Sequence, residues 1–260
     1  MNAYILSAAK AYRRHLQYRA AHVVNNVASA IFGFMYIAIW QAATGGTAAT
    51  GDYEATNMAR WVAFNQAMLW AAVFLTNGLG IPETVRSGSV GVDMLRPVDY
   101  HLFVMTRELG TIGYNILYRC LPLAVVFGLV VGVQVPEQLV TYPLLLAAIA
   151  LAIYNGLCLR YLIGISSFWT VQIRFANHLY YTLHTAFSGF LVPIDLLPPP
   201  WDTVARLLPF APLHHDPARL YLELSGAEAL AWPAGWAVTL TVLCRVLTNG
   251  ARRRLEVQGG

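Results

Sequence analysis

The stretch "QLVTYPLLLAAIALAIYNGLCL", residues 138–159, carries no Asp, Glu, Lys or Arg. A helix of roughly 20 apolar residues crosses the hydrocarbon core of a bilayer, and this run is long enough to do so. Residues 20–51 and 61–82 are equally free of charge. Over the 260 residues, 57% are apolar, 12% are charged and the mean hydropathy is +0.52. That balance is too apolar for an ordinary soluble domain, so the chain reads as an integral membrane protein.

Three further runs complete the pattern. Residues 109–136 hold one charge, Arg119, residues 175–194 hold none, and residues 229–244 extend once Arg245 reaches toward the headgroups. The runs predict six spans, at 21–44, 61–81, 106–133, 138–165, 172–194 and 229–249. They are continuously apolar and do not alternate as barrel strands do, so the predicted fold is all-α.

Basic residues favour the cytoplasmic side of short loops. An inside N-terminus places Lys10, Arg13, Arg14, Arg19, Arg86, Arg96, Arg107, Arg252, Arg253 and Arg254 there, while the opposite segments carry Asp52, Glu54, Glu137, Asp195, Asp202, Asp216, Glu223 and Glu228 against only Arg60, Arg206 and Arg219. Both termini are then cytoplasmic and the protein sits in the inner (plasma) membrane. The pI near 9.0 suits anionic inner-leaflet lipid. No stacking aromatic platform accompanies the basic residues, so nucleic acid is not an expected partner.

Residues 1–20 read as an interfacial amphipathic helix, with Ile5, Ala9, Tyr12 and Leu16 on one face and Lys10, Arg13, Arg14 and Gln17 on the other. The plainer reading is a solvated tail. The apolar run that follows is longer than a typical signal-peptide core, so an uncleaved first span is expected. Cys120, Cys158 and Cys244 lie within predicted spans without paired spacing, which suggests packing residues rather than a disulfide or metal framework.

"IPETVRSGSVGVDMLRPVDY", residues 81–100, joins the second and third spans and carries Glu83, Arg86, Asp93, Arg96 and Asp99. Pro82 and Gly88 bracket a short helix, and Pro97 resets the chain before the third span. From spacing alone a plain solvated loop is the simpler reading. Yet "RSGSVGVDMLRPVDY" resembles the region after the second span in permease subunits of type-two ABC exporters. "GFLVPIDLLPPPW" (189–201), "LLPFAPLHHDPARLYL" (207–222) and the terminal "RRRLEVQGG" (252–260) are similar to later landmarks of the same subgroup, in the same order.

The resemblance implies a half-transporter with six spans, an N-terminal interfacial helix, a coupling helix in the first cytoplasmic loop and a re-entrant helical hairpin before the sixth span. Residues 195–226 would hold that hairpin, and "PPPWDTVARLLPF" is itself too short to cross yet apolar enough to dip into the outer leaflet. The implied partners are two copies of an ABC ATPase subunit and a second permease subunit, identical or related. Glu83, Arg86, Asp93 and Arg96 become the ATPase-coupling candidates. No cofactor is expected in this chain, ATP and Mg being bound by the partner.

Polar residues inside spans are costly and therefore informative. Asn65, Gln66, Arg119, Asn155 and Asn177 are the substrate-cavity candidates, and Asn25, Asn26, Asn77, Gln172 and His178 share the pattern. Arg119, with Pro122 loosening the helix after it, reads either as a cavity-lining charge for an anionic or amphipathic substrate or as an arginine paired with a carbonyl or Asn155.

Other chemistry is weaker. His214, His215 and His184 suggest a metal site, but adjacent histidines on a helix point apart, and no metal is expected. Ser166 and Ser167 with His178 or His184 imply no hydrolase geometry. "LSGAE" (224–228) echoes an ABC signature without a nucleotide-binding domain around it. An ion-gradient-driven secondary carrier is the runner-up, and no acidic residue within the six apolar runs is available to it. Lys10 is the only lysine and no glycine-rich turn precedes it, so a Walker loop is missing. The purified chain should therefore hydrolyse no ATP in a phosphate-release assay, and turnover in a preparation free of other ATPases would refute this.

Overall fold

The structure is a computed structural model describing residues 3–43, 53–72, 78–170 and 173–258. Its regular elements are helical: α1 (Ala3–His15), α2 (Arg19–Ala43), α3 (Ala55–Met68), α4 (Ile81–Arg86), α5 (Val90–Leu95), α6 (Tyr100–Asn115), α7 (Leu121–Val131), α8 (Thr141–Ile165), α9 (Arg174–Phe187), α10 (Trp201–Leu207), α11 (His215–Tyr221) and α12 (Ala231–Gln258). Among the described residues, four stretches are long and apolar enough to cross a membrane: His22–Ala43, Tyr100–Val131, Thr141–Phe168 and Ala227–Leu255.

The other two predicted spans appear as shorter helices. α3 and α9 have 14 residues each, and parts of 61–81 and 172–194, with Asn77 and Gln172, lie outside the described residues. The apolar run to residue 194 outlasts α9 because Gly189 takes a left-handed φ of 79° and Pro193 follows, a combination that ends a helix. Hydropathy reports burial, whereas helix length depends on such stops.

α8 is the hub. Ala148, Ala152, Gly156, Arg160 and Gly164, spaced four apart, are all buried along one stripe. Small residues on that stripe let other backbones approach closely. A Cβ on Gly156 would lie 2.9 Å from the Ala72 carbonyl oxygen, and one on Gly164 would lie 2.2 Å from that of Gly78. On another face α8 meets α12 through Tyr154 Oη and Thr241 Oγ1 at 2.6 Å, and Tyr161 Oη and Thr248 Oγ1 at 2.6 Å. Both pairs advance by seven residues in the same direction, so α8 and α12 run parallel. The intervening chain, α9 included, must therefore return to the end where α8 began.

That starting end is tied down by Glu223, whose φ is 56°. Its carboxylate accepts hydrogen bonds from the amides of Glu137 (2.9 Å) and Gln138 (3.0 Å) and from the Thr141 hydroxyl (2.8 Å). These bonds hold its pKa below the usual range and satisfy donors that precede α8.

The path through α6 and α7 covers 32 residues, about 48 Å of helix, well beyond a hydrocarbon core of about 30 Å. A π-helical turn at Ile116–Cys120 interrupts it. Pro122 cannot donate to the carbonyl four residues back. That carbonyl, on Tyr118, accepts instead from Asn26 Nδ2 of α2 at 2.9 Å.

α1 lies along α6, running parallel to it. Tyr4 Oη accepts from the Asp99 amide at 3.0 Å, and Tyr12 meets the Tyr114 ring edge-on at 6.0 Å. Ala9, Tyr12 and Leu16 of the predicted stripe are half-buried, but Ile5 is 61% exposed, and the buried side widens toward Tyr4, Ala8 and His15. Gly110 decides this register: a Cβ there would stand 2.1 Å from the Ala8 carbonyl oxygen, so backbone contact outweighs the apolar period. Replacing Gly110 with Leu should lift α1 from α6 at a cost of about 1–3 kcal/mol, seen as faster limited proteolysis within residues 3–15; unchanged protection would refute the contact.

Candidate functional site

The loop 82–100 folds into two helices where the sequence predicts one. Gly80 and Gly88, each with φ 72°, bracket α4, and Pro82 occupies its first turn. Arg96 is extended (φ −63°, ψ 143°) ahead of Pro97, and Asp99 caps α6 by accepting from the Leu102 amide at 2.8 Å.

One face of this helix pair is fixed. Ile81, Val90 and Tyr100 are buried with Val104, Leu157, Tyr161 and Ile165, and Arg107 Nη2 donates to the Leu79 carbonyl at 2.5 Å. The other face is open. Arg86 and Glu83 pair at 3.7 Å with side chains 65% and 56% exposed, and Arg96 and Asp93 pair at 3.3 Å. Such exposed pairs contribute little to stability, typically about 0–1 kcal/mol. Beside them Leu95 is 87% and Val92 64% exposed. Charge spacing pointed to the four ionic residues but could not find these two apolar knobs, which only the orientation of α5 reveals.

The interior candidates are dispersed. Arg119, buried at the π-turn, donates to His22 Nδ1 and stacks over the Trp70 ring with Cζ 3.9 Å from its centroid. His22 then carries its proton on Nε2 and donates to the His15 carbonyl at 3.1 Å. The pairing partner is thus a histidine and an indole, not Asn155. Asn155 instead donates to the Pro233 carbonyl at 3.0 Å, and Asn65 Oδ1 accepts from His214 Nδ1 at 3.1 Å. Asn65 Nδ2, Gln66 Oε1, Asn155 Oδ1 and Asn177 Oδ1 are buried without a partner among the described residues. Each of the bonded ones is held by its own neighbours: Asn65 by His214, Asn155 by Pro233 and Arg119 by His22 and Trp70. A groove of about 360 Å³ opens elsewhere, between Phe34 and Ile37 of α2, Thr56 of α3 and Val131 of α7.

One acidic residue does lie within a predicted span. Glu108 accepts from Arg160 Nη2 at 3.0 Å, and the Arg160 side chain is only 1% exposed. Removing one partner from such a buried pair costs about 3–5 kcal/mol.

At the opposite end of the bundle Asp195 gathers the segment between α9 and α12. Its carboxylate accepts from Tyr53, Arg206 and Arg219, which joins the approach to α3 to α10 and α11. Burial alone would raise this carboxyl, but the Tyr53 hydrogen bond and the two guanidinium groups outweigh it and hold the pKa at about 2. The signal in the sequence was the "PIDLLP" landmark, whose aspartate was read as a topological charge only. His214 faces Asn65 and, at 5.1 Å between ring centroids, His184. His215 accepts from the Ile194 amide at 3.3 Å. The two adjacent imidazoles do point apart. Burial pushes His215 down to about 3, so it meets Asp195 uncharged.

An all-helical chain with several membrane-length apolar helices, and with no strand among the described residues, defines a polytopic membrane component. Residues 28–259 match the family model described as ABC-2 family transporter protein, and the chain belongs to that family. It is an ABC transport permease, a membrane component rather than itself an enzyme, of a kind that generally works with an ATPase subunit. No curated protein and no solved structure matches the chain.

Asp216, half-buried beside Asp195, is pushed up to about 7, with burial the largest cause. An unfolded aspartate titrates near 4, so the folded state binds the extra proton between roughly pH 4 and 7 and stability falls as pH rises through that window. Relative to Asp216→Asn, whose residue 216 cannot titrate, the detergent-purified wild type should lose melting temperature from pH 5 to pH 8, the buried histidines contributing equally to both. Identical slopes would refute the assignment.

Proposed function

We propose that this chain is the membrane subunit of an ATP-driven exporter that moves a hydrophobic or amphipathic compound, such as a drug, natural product or lipid, out of the cytoplasm. The observation that carries the reading is the α4–α5 pair, whose inner face is fixed to α6 and α8 while its outer face presents Glu83, Arg86, Asp93 and Arg96 around exposed Leu95. A rigid knob with a charged rim and an apolar centre is what a soluble partner can grip. Two ATPase subunits, binding ATP and Mg, press on this segment from the cytoplasm. Their closure tilts α6 and α8 and switches a pathway between inward and outward access.

In this reading the chain crosses the inner (plasma) membrane six times with both termini cytoplasmic, a topology supported by the parallel course of α8 and α12, with a return through α9 between them, and by the basic asymmetry of the loops. Residues 195–226 form the re-entrant hairpin at the outer side, held by Asp195. The second permease, identical or related, covers the apolar outer face of α2, where Val24, Ile31 and Met35 are exposed. Asn65, Gln66, Asn155 and Asn177 supply unpartnered polar atoms for the pathway between the subunits, and Arg119 the charge near it. The groove between α2, α3 and α7 gives an apolar entry for the substrate.

An ion-gradient-driven carrier is the second reading, favoured by Glu108 inside a predicted span. Its close pairing with Arg160 leaves it the worse fit for a carboxylate that must exchange ions.

Reversing Glu83 to Arg or Arg86 to Glu should reduce ATPase co-purification and export together, by at least about tenfold for a contact worth about 2–5 kcal/mol, with insertion unchanged. The Glu83→Arg, Arg86→Glu swap keeps the pair within α4 yet inverts the field toward the partner, so it should fail as well. Normal export and retained ATPase in these variants would show that the segment is only a solvated connector.

A further inference from the structure

The three cysteines look alike in the sequence, yet the fold separates them. Cys120 packs with Met68 and Ala71. Cys158 of α8 and Cys244 of α12 come together with His101 from the first turn of α6, and one ligand atom from each lies within 4.8 Å of the others. Cys158 and Cys244 are fully buried and His101 is 3% exposed.

The donor set carries more than packing. His101 Nε2 is buried and, among the described residues, has no hydrogen-bond partner, while the ring stands within reach of the Cys158 thiol. That ring is held edge-on against Tyr161 at 4.7 Å between centroids, and Tyr161 is itself hydrogen-bonded to Thr248. The imidazole is therefore oriented rather than free to seek water. The Cys244 thiol lies 3.6 Å from the Cys158 carbonyl oxygen, a weak contact, and also faces the Cys158 thiol.

We propose that His101, Cys158 and Cys244 bind one thiophilic closed-shell cation, zinc(II) or copper(I), which fastens the start of α6 to α8 and α12. Zinc bonds to sulfur at about 2.3 Å and to imidazole nitrogen at about 2.0–2.1 Å place ligand atoms roughly 3.5–4 Å apart, so the observed spread needs only a small closure. Two thiolates and one imidazole form a soft set that selects these ions over magnesium or calcium. Both cysteine protons leave to solvent on binding. With zinc the site is then electrically neutral, which suits a buried position where net charge is expensive. With copper it carries one negative charge, so zinc is the better match, water completing its fourth position. Copper(I) is satisfied by the three protein ligands alone.

The consequence is mechanical. His101 follows Tyr100, the last residue of the 81–100 segment, and Tyr100 packs in the same core as Leu157, Cys158, Leu240 and Cys244. A bound ion would add a cross-link at the start of α6, about two turns from the Glu108–Arg160 pair that already joins α6 to α8. This inference rests on the three helices and stands independently of any transport role.

The test uses the full-length protein in detergent, stripped with a chelator and then equilibrated, in separate arms, with zinc(II) or with copper(I) under anaerobic reducing conditions, followed by desalting and elemental analysis. Wild type and Cys120→Ser should retain about one equivalent of one of these metals per chain, while His101→Ala, Cys158→Ser and Cys244→Ser should each bind at least about tenfold less. Melting temperature should rise with that metal in wild type and Cys120→Ser only. Cobalt(II) gives a reading on the wild type without any variant: a thiolate-to-cobalt charge-transfer band that zinc abolishes supports the zinc arm, and copper uptake without that band supports the copper arm. Retention of neither metal by wild type, or equal retention by Cys158→Ser, would overturn the site.

Discussion

Close backbone approach along the small-residue stripe of α8 is the constraint on which the rest of the structure depends. Gly156 lets the Ala72 carbonyl reach the helix, and Gly164 does the same for Gly78. In an apolar surrounding the hydrophobic effect gives helices little reason to associate, so close packing of small residues takes its place. Because 78–86 docks on Gly164 and Ile165, the α4–α5 pair inherits a fixed position. Because Leu213 and the elements around it reach Gly156, the segment between α9 and α12 is seated on the same helix. The hub therefore touches both ends of the molecule.

The second layer of order is the pairing of polar groups between helices. Pro122 frees the Tyr118 carbonyl and Asn26 takes it; Arg119 finds His22 and Trp70; Arg160 finds Glu108. None of these pairs is local in sequence. Each is expensive to leave half made in a low-dielectric interior, so together they fix the rotation of each helix about its axis, which apolar packing alone defines loosely. Asn65, Gln66 and Asn155 keep unpartnered atoms, and that incompleteness sets them apart from polar residues whose bonding is finished inside the chain.

Charge is arranged differently at the two ends. Near 82–100 the ionic pairs are exposed and weak. Around Asp195 the aspartate is half-buried among two arginines and a tyrosine, and its lowered pKa records how strongly the charged form is held. At one end the ionic pairs lie at the surface, and at the other they hold the chain's own segments together.

The sequence by itself determined the class of protein. Charge-free runs such as 138–159 report apolar surroundings, and long continuous runs can satisfy their backbones only as helices. It also placed the 82–100 segment, because prolines and glycines act locally, and its ordered landmarks pointed to the ABC-2 family that the family match then showed. It could not give the length of α9, since Gly189 stops a helix that hydropathy would continue. Nor could it give the α1 register, since Gly110 invites the backbone at Ala8 rather than the side chain of Ile5. The partner of Arg119, the Arg160–Glu108 pair and the meeting of His101 with two cysteines 86 positions apart were decided only by tertiary structure. Such contacts depend on which faces of distant helices turn toward each other, and periodicity within one helix carries no information about its neighbour.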